Sequence, residues 1–161
     1  MDSRLFRQTV GQFATGVTVI ATDIDGAIHA MTANSFTSLS LNPPLVLFCV
    51  ARNAKMGRLV RESVLFSVNI LSRGQQDISA YFAGAWRQEE PPAFSFSGWE
   101  GVPRLAGCAA TLACVVHAVH EGGDHWIVIG RVTHVDQPVP VRLPLVFFGG
   151  RYVDLPDYVT S

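Results

Sequence analysis

Charged residues are scarce in this chain: Asp, Glu, Lys and Arg make up 16% of its 161 residues, against about 25% in an average soluble domain. Hydrophobic residues account for 48%. A chain of this length forms one domain with a substantial core. So little charge also leaves apolar surface that a partner subunit has to cover. We therefore treat residues 1–161 as a single domain and expect a homodimer.

The sequence also lacks a strong charge of either sign, with a formal net charge of -1. Its densest cationic cluster, Lys55 to Arg61, is interleaved with apolar residues, so nothing indicates a nucleic-acid partner. No apolar run reaches the roughly 20 residues that span a bilayer. The first residues include Asp2, Arg4 and Arg7 rather than an apolar signal core. We expect a cytoplasmic protein with no membrane association.

Cysteine pairs are missing as well. The three cysteines, Cys49, Cys108 and Cys114, are widely spaced within apolar runs, and no Cys-x-x-Cys occurs. This pattern argues against both a disulfide framework and a metal site. Reduced, buried thiols that act as small hydrophobic groups are the expected state.

Short apolar runs separated by turn signals predict a mainly β protein with a few short helices, arranged as an antiparallel barrel. The Asp25-Gly26 pair predicts a hairpin turn. No strand is followed by Gly-x-Gly-x-x-Gly and a helix, which argues against a Rossmann fold. The predicted helices are Ser3 to about Phe13, Lys55 to Arg61 and Gln75 to Ala83. The predicted strands are Val17 to Ile24, a return strand from Ala27 into the polar stretch described next, Leu45 to Ala51 (buried on both faces), Val64 to Ile70, Cys108 to Glu121, His125 to Val135, and a closing pair around Leu145 to Phe148 and Arg151-Tyr152.

Two segments depart from the strand pattern. Residues 32–40 read Thr-Ala-Asn-Ser-Phe-Thr-Ser-Leu-Ser and precede Asn42-Pro43-Pro44. Their short polar side chains leave the backbone accessible, which suits a flat polar ligand. Gly84 to Gly101 is rich in aromatic residues without a clean period. A loop of that length in a compact domain is usually functional, although core packing explains it equally well.

Several motifs in this order resemble the short flavin reductases, the NAD(P)H:flavin oxidoreductase components of two-component flavin monooxygenases, which have a split-barrel, FMN-binding flavin reductase-like fold. The similarity runs from about Leu5 to Val153. The motifs that carry it are Phe13-Ala14-Thr15-Gly16-Val17, the stretch Thr32 to Ser40 with its Pro-Pro, Phe82-Ala83, Gly123-Asp124-His125 and Gly149-Gly150-Arg151-Tyr152.

The resemblance implies a set of flavin-contacting residues. The Thr32 to Ser35 motif would meet the isoalloxazine edge and the ribityl chain, and the turn from Ala51 to Lys55 would meet the flavin phosphate. His125 would lie at the nicotinamide face and help to orient it, which makes it the one catalytic candidate. The full set of cofactor-binding candidates is Thr32, Ala33, Asn34, Ser35, Ser38, Ser40, Cys49, Ala51, Arg52, Asn53, Lys55, Phe82, His125 and Tyr152.

The resemblance implies FAD or FMN as the flavin, with FAD slightly preferred. NADH is expected rather than NADPH, because the sequence has no arginine cluster that could bind a 2′-phosphate. The cofactor carries the hydride chemistry, so no acid, base or nucleophile is required of the protein. The expected activity is flavin reduction that supplies a partner monooxygenase. Two alternatives stay open: a non-catalytic flavin-binding or redox-sensing module, and a flavin oxidase of the pyridoxamine-phosphate oxidase type.

Overall fold

The computed structural model describes residues 1–62 and 65–157, with the backbone alone at 61 and 62. Val64, where a strand was predicted to start, and residues 158–161 of the predicted domain lie outside the described residues. The helices are α1 (Ser3–Val10), α2 (Lys55–Glu62) and α3 (Gln76–Phe82). The strands are β1 (Thr15–Gly16), β2 (Thr18–Ile24), β3 (Ala27–Ala33), β4 (Thr37–Leu41), β5 (Pro44–Ala51), β6 (Leu65–Ile70), β7 (Phe96–Trp99), β8 (Val102–Leu105), β9 (Ala110–Gly122), β10 (His125–Asp136), β11 (Val146–Phe148) and β12 (Arg151–Val153).

Antiparallel pairing organises the strands into one large and two small sheets. The seven-stranded sheet has the order β3-β2-β6-β9-β10-β5-β4, while β1-β11-β12 and β7-β8 form the small sheets. Asp25 and Gly26 both adopt positive φ at the β2–β3 hairpin, as a two-residue hairpin turn requires. The predicted mainly β, split-barrel architecture with short helices is confirmed.

Two apolar cores hold the sheets together. Phe48 and Phe66 meet edge to face, with 5.4 Å between ring centroids, in the core enclosed by the large sheet. The second core lies on the other side of β2, where Val17, Leu71 and Leu145 pack with residues of α3. The strand β3 therefore has one face toward each core, since side chains alternate along a strand.

A buried polar network attaches the β7–β8 hairpin to the large sheet. Asn69 is fully buried on β6; its amide donates to the Val19 carbonyl at 3.1 Å and accepts from the Leu105 N–H at 2.9 Å. The amide also donates to the Ser67 hydroxyl at 2.9 Å. Because each buried polar atom of Asn69 has a partner, this network stabilises the fold.

The first helix is shorter than predicted and lies on the surface. Asp2 caps it by accepting from the Arg4 N–H at 2.8 Å, and Gly11 ends it before Phe13. None of its residues is buried, and Phe6 and Phe13 remain 55% and 77% exposed. The apolar side of this segment therefore has no cover within the described part of the chain.

Three further predictions need correction. Leu45 to Ala51 was predicted to be buried on both faces, but burial in β5 alternates, with Val46, Phe48 and Val50 inside. The residues between them, Leu45, Leu47, Cys49 and Ala51, are only half-buried. The polar stretch is not one strand, since β3 ends at Ala33 and β4 starts at Thr37. Residues 96–105, at the end of the predicted loop and beyond it, form the β7–β8 hairpin.

Candidate active site

The break between β3 and β4 is where the polar motif becomes accessible. Asn34 and Ser35 are exposed, while Phe36 turns inward against the main core. The Ser35 hydroxyl accepts from the Cys49 N–H at 2.9 Å and donates to the Cys49 carbonyl at 3.1 Å. One side chain thus satisfies both backbone groups of Cys49 and fixes the motif against β5.

Two neighbouring cavities open beside this break. The smaller, of about 220 Å³, lies between the end of β3, α3 and the C-terminal hairpin. The larger, of about 490 Å³, lies between the break and α1. Asn34 and Phe147 line both cavities, so the two lie side by side, and together they are called the cleft below. Its other lining residues include Val17, Thr32, Ser79, Ala83 and Tyr152 in the smaller cavity, and Phe6, Arg7, Phe13, Thr15, Ser35 and Phe36 in the larger.

Hydrogen bonds to Ser79 hold the wall of the smaller cavity. The Thr32 hydroxyl donates to the Ser79 carbonyl at 2.7 Å, and the Tyr152 hydroxyl donates to the Ser79 hydroxyl at 2.8 Å. Ser79 is almost completely buried in α3. These bonds fix β3, α3 and β12 relative to one another. The side-chain amide of Asn34, by contrast, has no hydrogen-bond partner among residues 1–62 and 65–157.

The turn after β5 carries an exposed cation. The Ala54 N–H donates to the Ala51 carbonyl at 3.1 Å, which closes the turn before α2 begins at Lys55. A Cβ at Gly57 would overlap that carbonyl, so α2 approaches the end of β5 closely. Lys55 is exposed and has no ion-pair partner within the described ranges.

His125 opens β10 directly beside the end of β5. It pairs with Ala51 across the sheet, and its Nδ1 lies 2.7 Å from Oδ1 of Asp124. The hydrogen bond and the charge of His125 lower the pKa of the Asp124 carboxyl. Nδ1 is therefore engaged by Asp124, which leaves Nε2 for a ligand.

Arg52, from the same turn as Lys55, points elsewhere. Its guanidinium stacks on the Trp126 ring at 4.2 Å from the centroid and forms an ion pair with Glu121 at 3.1 Å. The structure therefore does not bring this side chain together with Lys55.

The other sequence-predicted residues divide into three groups. Cys49, Ala51 and Asn53 follow one another along the end of β5 and its turn, next to Ser35. Ser38 and Ser40 are on β4 and lie outside the lining of both cavities.

Two predicted residues face the protein interior. The Ala33 side chain packs in the main core, and its carbonyl accepts from the Thr18 hydroxyl, so contact with a ligand would require the remaining backbone. Phe82 belongs to an aromatic cluster with Phe94 and Phe96.

Sequence reasoning missed several residues of the cleft. Phe147 lines both cavities, and Ser79 holds the wall of one. Neither carries a chemical signal, since Phe147 reads as strand core and Ser79 as a helix position. Thr15 lies in a motif that carried the resemblance but was given no role. The signal for the contribution of the α1 segment was the helical spacing of Phe6, Val10 and Phe13, which line the larger cavity.

The predicted state of two cysteines is confirmed. Cys108 and Cys114 are buried, and all three cysteines are free thiols. Burial raises the pKa of both the Cys108 and the Cys114 thiol to about 12. For Cys49 the prediction of a buried thiol was wrong, since this residue is partly accessible.

The described part of the chain contains no helix that is long and apolar enough to cross a bilayer.

The sequence and the fold of this chain are similar to those of known proteins. The sequence profile of the flavin reductase like domain matches residues 10–156. The reductase subunit HsaB of a flavin-dependent monooxygenase from Rhodococcus jostii is 38% identical over an alignment of 162 positions that covers 98% of this chain and 80% of HsaB.

Two solved structures have the same fold over nearly their whole length. Flavin reductase PheA2 superposes with a TM-score of 0.91 at 43% identity, covering 98% of this chain and 100% of PheA2. The NADH:FAD oxidoreductase SgcE6 of Streptomyces globisporus, solved in complex with NAD and FAD fragments, gives a TM-score of 0.89 at 36% identity and covers 98% and 95% of the two chains. The chain therefore belongs to the flavin reductase like domain family, as its motifs predicted.

Proposed function

We propose that this protein is an NADH-dependent flavin reductase that transfers hydride from NADH to FAD or FMN and supplies the reduced flavin to a partner monooxygenase. The observation that carries the proposal is the cleft of two adjoining cavities, lined by Thr32, Asn34 and Ser35 on one side and by Phe147 and Tyr152 on the other. Relatives named as NADH-dependent flavin reductases and as a monooxygenase reductase subunit support it.

The residues of the cleft fit a flavin. Phe36, Phe147 and Val17 supply apolar walls for a flat ring system, and the Asn34 amide is a polar group available to a ligand at the junction of the cavities. Bound flavin supplies the hydride-accepting ring. The part of the protein is to hold that ring and to present hydrogen-bond donors where negative charge develops on reduction.

Ser35 contributes through the backbone more than through its own hydroxyl. Both hydrogen bonds of its side chain go to Cys49, so its effect is to place the Asn34 amide and the adjacent backbone at the cleft. Thr32 is likewise engaged by Ser79. Preorganised groups of this kind stabilise a developing charge without rearranging during the reaction.

The flavin phosphate is assigned to the turn after β5. Lys55 is an exposed ammonium at the start of α2, where a cation acts on phosphate as a point charge. The turn continues directly from Cys49 and Ala51, which lie beside Ser35. A flavin that runs from the cleft toward Lys55 would pass these residues.

His125 is assigned to the nicotinamide. It lies across the sheet from Ala51, with Nδ1 held by Asp124 and Nε2 available. A neutral or charged imidazole can orient a carboxamide through Nε2, and orientation contributes because hydride transfer needs the two rings at near-attack distance. No proton transfer by His125 is required.

NADH is preferred to NADPH on the charges present. A 2′-phosphate needs an arginine at the ribose, and Arg52, which follows the β5 residue paired with His125, is engaged by Glu121 and Trp126. We also propose cytoplasmic function, since a protein that consumes NADH has to work where NADH is available.

The active form is proposed to be a homodimer. Phe6, Val10 and Phe13 form an exposed apolar side of the α1 segment, and the outer face of β5 is only half-covered. A twofold interface that covers such surface is the common solution for soluble oligomers. Sedimentation at micromolar concentration should give about twice the 17.5 kDa chain mass, and a stable monomer would contradict the dimer.

Anaerobic NADH oxidation with FMN or FAD, against a no-flavin control, tests the activity. A flavin reductase that uses flavin as a substrate oxidises NADH only when flavin is added, and reduced flavin accumulates in step. A yellow protein that binds flavin but leaves NADH unchanged would instead be a flavin-binding module. In a separate assay in air, oxidation of pyridoxamine phosphate with formation of hydrogen peroxide, without NADH, would identify an oxidase.

A further inference from the structure

The turn after β5 carries two cations with different surroundings. Lys55 is exposed at the start of α2, without an ion-pair partner in the ranges that the structure describes. Arg52, three residues earlier, uses both its backbone and its side chain in contacts with the β9–β10 hairpin. Although they are close in sequence, the two side chains therefore have different partners.

Three contacts join Arg52 to that hairpin. Its N–H donates to the Asp124 carbonyl at 3.0 Å, its guanidinium forms an ion pair with Glu121 at 3.1 Å, and its Cζ lies 4.2 Å from the centroid of Trp126. Glu121 and Trp126 pair directly across β9 and β10. Planar stacking on an aromatic ring combined with a carboxylate partner suits arginine and not lysine.

The guanidinium lies on the opposite face of the sheet from His125. Trp126 follows His125 directly in β10, so their side chains point to opposite faces. Trp126 packs against the main core, and the Nε of Arg52 is buried there without an acceptor among the described residues. Arg52 thus covers the end of the core, while His125 faces the side of Ala51.

We propose that Arg52 is a positioning residue for His125, and that Lys55, not Arg52, meets the flavin phosphate. Arg52 fastens the turn 122–125 to the end of β5, and so fixes the imidazole relative to the flavin-binding face. This inference rests on the proposed function in assigning NADH to His125. The inference gives the two cations of one turn different roles. Arg52 determines the position of His125, and Lys55 binds the flavin phosphate.

Four variants test these two roles: Arg52→Met, Arg52→Lys, Glu121→Gln and Lys55→Met. Loss of the stacking and the ion pair in Arg52→Met should raise KM for NADH about tenfold, with an unchanged ratio of FMN to riboflavin affinity. Glu121→Gln should raise KM about twofold, since the stacking remains. Arg52→Lys should recover part of the loss, because the charge opposite Glu121 is kept. Lys55→Met should lower the ratio of FMN to riboflavin affinity, a change that Arg52→Met should lack.

Hydrogen exchange supplies a readout independent of catalysis. Amides of residues 122–126 should exchange faster in Arg52→Met than in the wild type or in Lys55→Met, because the hairpin loses its attachment. If Arg52→Met does not fold, Glu121→Gln still tests the same contact. If the wild type does not oxidise NADH with any added flavin, the proposed function fails, while the exchange rates still decide whether Arg52 fastens the hairpin.

Two results would overturn the inference. A selective loss of FMN over riboflavin in Arg52→Met would make Arg52 a phosphate ligand. Unchanged KM for NADH together with unchanged exchange at 122–126 would show that the contacts of Arg52 do not position His125.

Discussion

The hydroxyl of Ser35 takes the place of a residue in the β4–β5 ladder by bonding both backbone groups of Cys49, at 2.9 Å to the N–H and 3.1 Å to the carbonyl. Regular pairing of β4 with β5 starts only at Thr37 with Leu47. The side chain thus extends the attachment of the chain to β5 past the end of the strand. This lets the backbone at Asn34 leave the sheet and turn toward the cleft.

Ser35→Ala should weaken flavin binding without preventing folding. The substitution removes two hydrogen bonds at an exposed site, which lowers the free energy of unfolding by about 1–2 kcal/mol, and it loosens the backbone at Asn34. Flavin titration by fluorescence should show an increase in Kd of about tenfold. Ser38→Ala, on the exposed edge strand outside both cavities, is the matched control and should change Kd by less than about twofold. Equal effects of the two would show that Ser35 has no special role.

His125→Ala should raise KM for NADH and leave flavin affinity unchanged. The imidazole is proposed to orient the nicotinamide through Nε2, and loss of such a hydrogen bond raises KM about tenfold. His134→Ala removes a histidine at the far end of the same strand, where the ring lies 3.5 Å from Glu100, and should leave KM at the wild-type value. Steady-state kinetics at saturating flavin make the comparison. A higher Kd for flavin in His125→Ala would instead place the imidazole on the flavin.

Native thiol labelling should modify Cys49 alone. Cys108 and Cys114 are buried with pKa values raised to about 12, and only the thiolate reacts. At pH 8 one thiol per chain should therefore react with Ellman's reagent, and all three should react after denaturation. Saturating FMN should slow the reaction, because Cys49 neighbours Ser35 at the cleft. Full labelling of the native Cys49→Ala variant would contradict this assignment.

The same two thiols predict an alkaline loss of stability. Their pKa is raised from the ordinary value of 9.0 to about 12 in the folded protein, so between these values the folded state holds more protons than the unfolded state. Raising the pH then favours unfolding: the stabilisation is present below pH 9 and is lost as the pH rises toward 12. Urea denaturation at several pH values should show a shallower decline in Cys114→Ala than in the wild type. An identical slope would indicate that Cys114 ionises normally in the fold.

The fold and the position of the polar motif in the candidate site could be predicted from the sequence, for a physical reason. Strand periodicity and turn residues such as Asp25-Gly26 act locally, so the strands could be placed from the sequence alone. The polar motif was identifiable because small polar side chains are unusual in an apolar chain. The break at Asn34 was missed because it depends on the hydroxyl of Ser35 reaching β5, a contact between segments 14 residues apart.

The roles of Arg52 and Phe147 could not be predicted for the same reason. Two cations in one turn look alike in sequence, and it is the pairing of β10 with both β5 and β9 that brings Trp126 and Glu121 to Arg52. Phe147 becomes a cleft residue because β11 pairs with β1, far away in the chain. In each case a long-range strand pairing selects which side chains meet.

Gly57→Ala should destabilise the protein, although alanine ordinarily stabilises a helix relative to glycine by about 1 kcal/mol. The added Cβ would overlap the Ala51 carbonyl, and relief of such overpacking costs about 1–3 kcal/mol. Because the overlap pushes α2 from the end of β5, Lys55 should move and FMN affinity should fall more than riboflavin affinity. Gly98→Ala, where a Cβ meets open space, is the control and should leave both affinities unchanged. Urea denaturation and flavin titration measure the two effects; a Gly57→Ala protein with wild-type stability and FMN affinity would show that α2 does not need this close approach.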